Sequence, residues 1–216
     1  MKISRARFEL LTDAEMLSLL ESAVRGGVSM CSNRYAKANN KYMETGYDSS
    51  KKEDKFIMYL DINNMYGSGM LNPLPCGGFQ FLKPEAMKEK FWEVDADSSI
   101  GYFIEADISY PRELHDAHSD LPFLPEHRDG KLMTTLYDKK KYVLHHDMLK
   151  LVLQHGLKLG KIYRVLRFVQ EPFLRDYVLL NIRMRENAKN KFEEMFAKLM
   201  VNSIYGKLKQ NKKKLI

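Results

Sequence analysis

Two stretches carry side chains whose type and spacing could do chemistry. The first, Phe56-Ile57-Met58-Tyr59-Leu60-Asp61-Ile62-Asn63-Asn64-Met65-Tyr66-Gly67, is a run of five apolar residues that delivers a carboxylate, turns, and presents an aromatic ring. An unbroken apolar run of this length predicts a strand buried on both faces. Asp61 would then stand at the strand's exit, at the mouth of a cleft, where a carboxylate can ligate a metal. The second stretch, Lys198-Leu199-Met200-Val201-Asn202-Ser203-Ile204-Tyr205-Gly206, predicts a helix. At about 3.6 residues per turn, Lys191, Lys198, Asn202 and Tyr205 fall within roughly 60° of one another, beside a stripe of Phe192, Met195, Phe196 and Leu199. One face would pack, and the adjoining face would offer a cation, an amide and a ring.

Together these stretches resemble motifs A and B of the family B DNA polymerases. Motif A, D-x-x-S-L-Y-P, is met as Asp61 through Gly67, and motif B, K-x-x-x-N-S-x-Y-G, as Lys198 through Gly206 with every defining position filled. Gly77-Gly78-Phe79, Arg34 through Tyr42, and Arg164 through Phe168 are similar to the protein-primed branch carried by viruses and self-replicating mobile elements. The resemblance runs from about Phe8 to about Lys209.

Such an enzyme joins a primer oxygen to the α-phosphorus of a deoxynucleoside triphosphate on a DNA template-primer, with two Mg²⁺ ions roughly 3.5 to 4 Å apart. The resemblance implies that Asp61 bridges both ions and that the backbone carbonyl of Ile62 adds a further hard oxygen. It places Lys198 on the triphosphate and Tyr66 under the incoming sugar, where a ring leaves no room for a 2′-hydroxyl. Asn202 and Tyr205 would flank the nascent base pair. Lys191 is added to the triphosphate contacts from its place on the helix face alone. Arg25-Gly26-Gly27 resembles the Y-x-G-G/A element whose glycines let backbone amides approach the template, with Val24 in place of its tyrosine. A helix C-cap is the plainer reading of those glycines. Gly206 and Lys207 extend the implied DNA contacts, and a terminal protein would serve as primer.

The departures are specific. Asn64 replaces the motif A serine and Gly67 its proline, giving a D-x-N-N-x-Y-G form similar to the mobile-element branch. Motif C, Y-x-D-T-D, does not follow Gly206, and the nearest imitation, Asp95-Ala96-Asp97, precedes motif B and reads as a polar turn. With one carboxylate where two are needed, a loss of about 4 to 5 kcal/mol of transition-state stabilisation would slow the reaction roughly a thousandfold or more. The isolated chain is therefore expected to be inactive, and the 60 residues ahead of Asp61 leave no room for a proofreading domain. Three readings stand: part of a polymerase, a remnant that binds DNA or nucleotide without turnover, and an interaction protein with decayed motifs.

The elements that must position these groups follow from punctuation and period. The expected fold is α+β: a partial palm, built on a small mostly antiparallel sheet, with helical fingers. The expected divisions are 1–55, an N-terminal helix and loop region; 56–170, a partial palm with motif A and inserted loops; and 171–216, fingers helices with motif B. Thr12-Asp13-Ala14-Glu15 has capping-box spacing and heads a helix from about 13 to 25, stopped by Gly26-Gly27. Residues 33–55 read as a surface loop, where Arg34, Lys37 and Lys41 could touch phosphates or lie on a solvated face. Pro73, Pro75, Gly77 and Gly78 predict a tight irregular connection. Tyr102, Ile104, Ala106 and Ile108 alternate with Phe103, Glu105 and Asp107, which predicts a strand with one wet face, beside the first. Residues 111–130 read as loop; His115, His118 and His127 match no ligand spacing there. Leu144, Met148, Leu151 and Val152 predict a helix ended by Gly156, Leu157 to Phe168 a third strand, and Pro172 the first turn of a helix carrying Phe173, Tyr177, Val178 and Asn181. Arg183, Arg185, Lys189, Lys191 and Lys198 then line up towards motif B, and Lys207, Lys209, Lys212, Lys213 and Lys214 form a fraying tail.

The totals agree with an anionic partner. The 216 residues carry a net charge of +7, 44% hydrophobic and 29% charged, which excludes disorder of the whole chain and favours nucleic acid over a membrane surface. Cys31 and Cys76 are too few for a zinc site or a disulfide framework. No apolar signal region or span of about 18 residues occurs, so a soluble, intracellular, unsecreted protein is expected.

Overall fold

A computed structural model describes residues 7–51, 53–87, 94–95 and 97–208. In chain order the elements are α1 (Ala14–Ala23), α2 (Met65–Met70), β1 (Leu74–Leu82), β2 (Ile100–Ser109), α3 (His115–His118), β3 (Glu126–Arg128), β4 (Lys131–Met133), β5 (Lys139–His145), α4 (His146–Gln154), β6 (Lys158–Glu171), α5 (Arg175–Glu186) and α6 (Lys191–Leu208). The class is α+β, with a four-stranded antiparallel sheet in the order β1-β6-β2-β5. The chain divides into two compact units. One holds the residues up to Val24, Asn64–Ser109 and those from Asp138 on; the other holds Arg25–Asn63 and Tyr110–Tyr137.

The first unit contains the sheet. Asp13 caps α1, its Oδ1 accepting the Met16 N–H at 2.9 Å, and the helix lays Leu19 with Met16, Leu20 and Ala23 against Val143, Leu166, Phe79, Phe81 and Phe103. The predicted N-terminal helix is thus present and ends at Ala23. Strand β2 is covered more fully than a wet face allows, because Glu105 lies opposite Arg164 in the ladder. The guanidinium grips both carboxylate oxygens, Nε at 2.7 Å and Nη2 at 3.2 Å, so two charges sit in mid-strand with their hydrogen bonds satisfied.

Several expectations fail for stated reasons. Pro75, Gly77 and Gly78 lie inside β1 rather than in an irregular connection. The strand is at the sheet's edge, where a proline removes no ladder bond, and register shifts around Gly77 with Gly78 at φ +62° absorb the irregularity. Leu144 belongs to β5, a strand that periodicity did not reveal, and α4 packs through Leu149 and Val152, leaving Met148 and Leu151 outward. The strand expected at Phe56–Leu60 does not form; all five side chains are exposed, up to 97% at Tyr59. Backbone N–H and C=O groups need a neighbouring strand. Among the described residues the last bridge before the run, Asn39 with Lys55, is not continued. Accordingly β2 lies between β5 and β6 and not beside that run.

In the second unit, β3 and β4 form a hairpin closed by Asp129 and Gly130, both at positive φ (51° and 75°), as a two-residue hairpin turn requires. His118 Nδ1 lies 2.9 Å from the Tyr110 hydroxyl and His115 Nε2 lies 3.3 Å from the Tyr110 carbonyl oxygen. The tail lysines Lys209, Lys212, Lys213 and Lys214 lie outside the described residues. No helix among the described residues is long and apolar enough to cross a membrane.

Candidate active site

The turn after the exposed apolar run is shaped by two residues together. Asn64 adopts a left-handed backbone (φ 54°), and its carbonyl accepts the Ser68 N–H at 2.9 Å, starting α2. A Cβ on Gly67 would meet the Asn64 amide nitrogen at 2.1 Å and Cγ at 2.5 Å. The two departures from the motif A wording, Asn64 and Gly67, are therefore spatial complements: the amide fills the place a side chain at 67 would need. Their joint occurrence was the available signal. The short helix then carries Tyr66 outward, and its ring stacks on Tyr205 with centroids 3.9 Å apart and planes 12° apart.

Tyr205 is delivered by α6, which pairs antiparallel with α5: Tyr177 Oη donates to the Met200 carbonyl at 3.2 Å, and at the other end Arg185 donates to Glu194 at 3.0 Å. The helix begins where Asn190 Oδ1 accepts the Glu193 N–H (3.0 Å) while Glu193 accepts the Lys189 N–H (2.8 Å). That break separates Arg183 and Arg185 on α5 from Lys191 and Lys198 on α6, so the cations do not follow one continuous helix. The signal for it was Asn190 three residues before Glu193, a capping spacing.

The face of α6 that packs carries Val201, with Ile204 and Tyr205, against Leu174, Val178 and Met70, and Ala197 is buried as well. The stripe Phe192, Met195, Phe196 and Leu199, expected to pack, is instead exposed, because α5 covers the other side. These four residues with Lys198 and Asn202 line an open hollow of about 470 Å³, in which the Phe192 and Phe196 rings stack at 6.2 Å. Lys198 and Asn202 are thus together, as expected, and Tyr66 joins Tyr205 one turn on. Lys191 is exposed at the first turn of α6, and Gly206 and Lys207 are exposed in its last.

Asp61 and Ile62 lie in the second unit, exposed and in irregular chain, as do Gly26 and Gly27, the latter at φ +85°, with Arg25 half-buried beside them. The Asp61 carboxylate makes no ion pair or hydrogen bond among the described residues. Carboxylate and carbonyl oxygens are the kind of hard donor that Mg²⁺ takes.

A second cluster was not foreseen. His145, His146 and Asp147 hold donor atoms within 4.8 Å of one another at the start of α4. His145 Nδ1 accepts the Asp147 N–H (3.4 Å) as helix N-cap, and His146 Nδ1 accepts the Tyr102 N–H (3.3 Å). The neutral His146 ring must then carry its hydrogen on Nε2, 3.3 Å from Asp147, which is the wrong form for a metal ligand at that atom. Burial, helped by His146, pushes the His145 pKa down to about 4, while Asp147 opposes the shift; His146 is lowered too, chiefly by burial.

A family model described as "DNA polymerase type B, organellar and viral" matches residues 42–215. Comparison with curated proteins finds no match. Among solved structures, an orthorhombic crystal form of Phi29 DNA polymerase aligns with a TM-score of 0.60 at 19% identity, covering 98% of this chain and 34% of that one. Phi29 DNA polymerase complexed with primer-template DNA and incoming nucleotide aligns at 0.57 and 17% identity, over 96% and 33%. The chain spans about a third of the length of these structures.

Proposed function

Because the chain belongs to the organellar and viral type B DNA polymerases, we propose that it serves template-directed transfer of deoxynucleotides to a DNA primer in the replication of a mobile or viral element. The observation that supports this reading is the stack of Tyr66 on Tyr205, which joins the Tyr66 end of motif A to the helix that also carries Lys198 and Asn202, within one unit. Lys198 meets the triphosphate as a point charge, with Lys191 a further cation on that helix. Tyr66 lies under the sugar and selects against a 2′-hydroxyl, while Asn202 and Tyr205 bound the nascent base pair. Arg25, Gly26, Gly27, Gly206 and Lys207 contact template or primer. Asp61 and the Ile62 carbonyl would hold Mg²⁺, which would supply charge neutralisation on the transferring phosphoryl group. In this division residues 56–170 are the palm, 171–216 the fingers, and a terminal protein is the primer.

These 216 residues offer one motif carboxylate, so binding without turnover is the expected behaviour of this polypeptide by itself. Fluorescent deoxynucleotide binding in Mg²⁺ should be present in the wild type and weakened by Lys198→Ala. Primer extension should be near background. Robust synthesis abolished by Asp61→Ala would refute the second statement, and nucleotide binding indifferent to Lys198 would refute the first.

A further inference from the structure

The segment between Gly27 and Asp61 has a construction that nucleotidyl transfer does not use. Asn39 and Asn40 are both buried, 6% exposed, in a loop that is otherwise polar. Asn39 exchanges backbone hydrogen bonds with Lys55 (2.9 and 2.7 Å), and its side chain binds both backbone groups of Asp48 (3.0 and 2.8 Å). Asn40 Nδ2 donates to the Lys55 carbonyl at 3.0 Å, and its Oδ1 accepts the Tyr42 N–H at 3.1 Å. Two amides thus tie the Asn39–Asn40, Asp48 and Lys55 parts of a long polar loop to one another.

Between those walls lies a crevice of about 830 Å³, within the range of roughly 300–1,000 Å³ usual for ligand sites. Its lining interleaves rings and ammonium groups: Tyr35 and Phe56 with Lys37, Lys51 and Lys55. Two acids, Asp48 and Glu53, also line it. Asp48 is already engaged, accepting from the Ser50 N–H (3.0 Å) and hydroxyl (2.6 Å) with Lys51 at 3.9 Å, and these bonds hold its carboxyl below the usual range. Lys37 and Lys55 make no ion pair among the described residues. Tyr35 is 76% exposed, a large ring facing solvent on the same crevice as Lys37 and Lys55, of which Lys37 also helps hold the Asp48 carboxyl low. Aromatic faces with interspersed lysines on a rigid frame are what unpaired nucleic acid needs, since any base offers a π-face and each phosphate a charge. A duplex offers its bases only at the groove edges and has no use for exposed rings.

We infer that this crevice receives a short unpaired stretch of polynucleotide, with bases stacked on Tyr35 and Phe56 and phosphates on Lys37 and Lys55. The site rests on the loop's own geometry and does not require nucleotidyl transfer.

The test is fluorescence anisotropy on the full chain with labelled (dT) and (rU) oligomers of about eight nucleotides, inside the usual single-strand site sizes, and a blunt hairpin duplex, each at several salt concentrations. Unpaired oligomer should bind more tightly than duplex, and the ratio of (dT) to (rU) affinity tells which nucleic acid occupies the crevice. Tyr35→Ala should weaken it roughly 5- to 150-fold, as loss of one stacking platform does. The double variant Lys37→Gln/Lys55→Gln should reduce the slope of log K against log salt by about 1.4, at about 0.7 per phosphate on a single strand. Lys198→Ala should leave this binding unchanged, so failure of the nucleotide reading and failure of this one are separable. Circular dichroism confirms that the variants fold, and exposed Tyr35 imposes no core penalty. Equal binding of duplex, or indifference to Tyr35→Ala, would overturn the assignment and leave only a basic surface.

Discussion

Lowering the pH should loosen this fold through one histidine, and the size of the effect follows from its surroundings. His145 is held near a pKa of about 4 by burial beside the Phe103 ring (5.4 Å) and Phe168 ring (5.9 Å), with His146 adding to the shift. In the unfolded chain the ordinary value, 6.5, returns. The folded pKa is the lower one, so the unfolded state binds the extra proton first. The contribution is fully present above pH 6.5 and is lost as pH falls towards 4. Each pKa unit is about 1.4 kcal/mol, so the ceiling is about 3 kcal/mol, and integrating from pH 7.5 down to pH 5 leaves a loss of about 2 kcal/mol.

Urea unfolding at pH 7.5 and pH 5 measures the loss directly. The comparison is with His145→Asn, whose amide oxygen can still cap α4 by accepting the Asp147 N–H but does not titrate. The variant is less stable at both pH values because it loses the ring's packing. Its difference between the two pH values should nonetheless be smaller than that of the wild type by about 2 kcal/mol, equivalent to roughly 4–8 °C in Tm for a chain of this size. If the two proteins lose stability in parallel between pH 7.5 and pH 5, the buried, neutral His145 is wrong.

Gly67→Ala should destabilise by about 1 kcal/mol or more through its collision with the Asn64 amide. Gly69→Ala in the same helix, where nothing lies within 4 Å of the new Cβ, should stabilise by about 0.5–1 kcal/mol; thermal unfolding of the pair tells them apart, and equal shifts would show that the amide simply swings away. A double-mutant cycle on Tyr66→Ala and Tyr205→Ala should return a coupling of about 0.5–1.5 kcal/mol for the stacked rings, and a value near zero in chemical denaturation would deny the stack. Arg164→Met leaves the Glu105 carboxylate, 11% exposed, without its partner and should cost about 1–3 kcal/mol at pH 7. Glu105→Gln in the Arg164→Met background should recover part of that loss, and no recovery would show that packing alone was removed.

Which parts of this architecture could be read from the chain depended on how local their cause is. α1 was legible because its start is written in four consecutive residues, and β6 because a run from Leu157 to Phe168 ends cleanly at Pro172. Motif B was legible as a helix, yet its packing side was not. Phe192, Met195, Phe196 and Leu199 form the more apolar stripe, but the smaller Ala197 and Val201 are the buried ones, Val201 packing with Val178 on α5 and with Leu174 just before it. Hydrophobicity ranks residues, whereas close approach of two helices ranks shapes. The pairing of Asn64 with Gly67 was written in the sequence as two oddities and needed coordinates to become one fact.

Strand formation makes the same point from the other side. Phe56–Leu60 has the stronger apolar run, and Lys139–His145 opens with three lysines, yet the second is the strand and the first is exposed coil. β5 forms because β2 presents a matching edge, Phe103 to Ile108, whose Asp107 carboxylate also accepts the Lys141 N–H (3.0 Å) and the Lys140 ammonium (3.3 Å) at the place where Lys141 turns through φ +48°. Two of the lysines that look like a reason against a strand are tied to an acid on the neighbouring one, Lys140 by its ammonium and Lys141 by its backbone N–H. The apolar run has side chains suited to burial but no partner edge among the described residues, so its backbone has nothing to pair with. A strand is a property of two segments, and the carboxylate at Asp61 will be held as firmly as the segment that pairs with the five residues before it allows. Amide exchange should therefore be fast across Ile57–Ile62 in this polypeptide and slow across β5, and protection of the former in the absence of any partner would contradict this account.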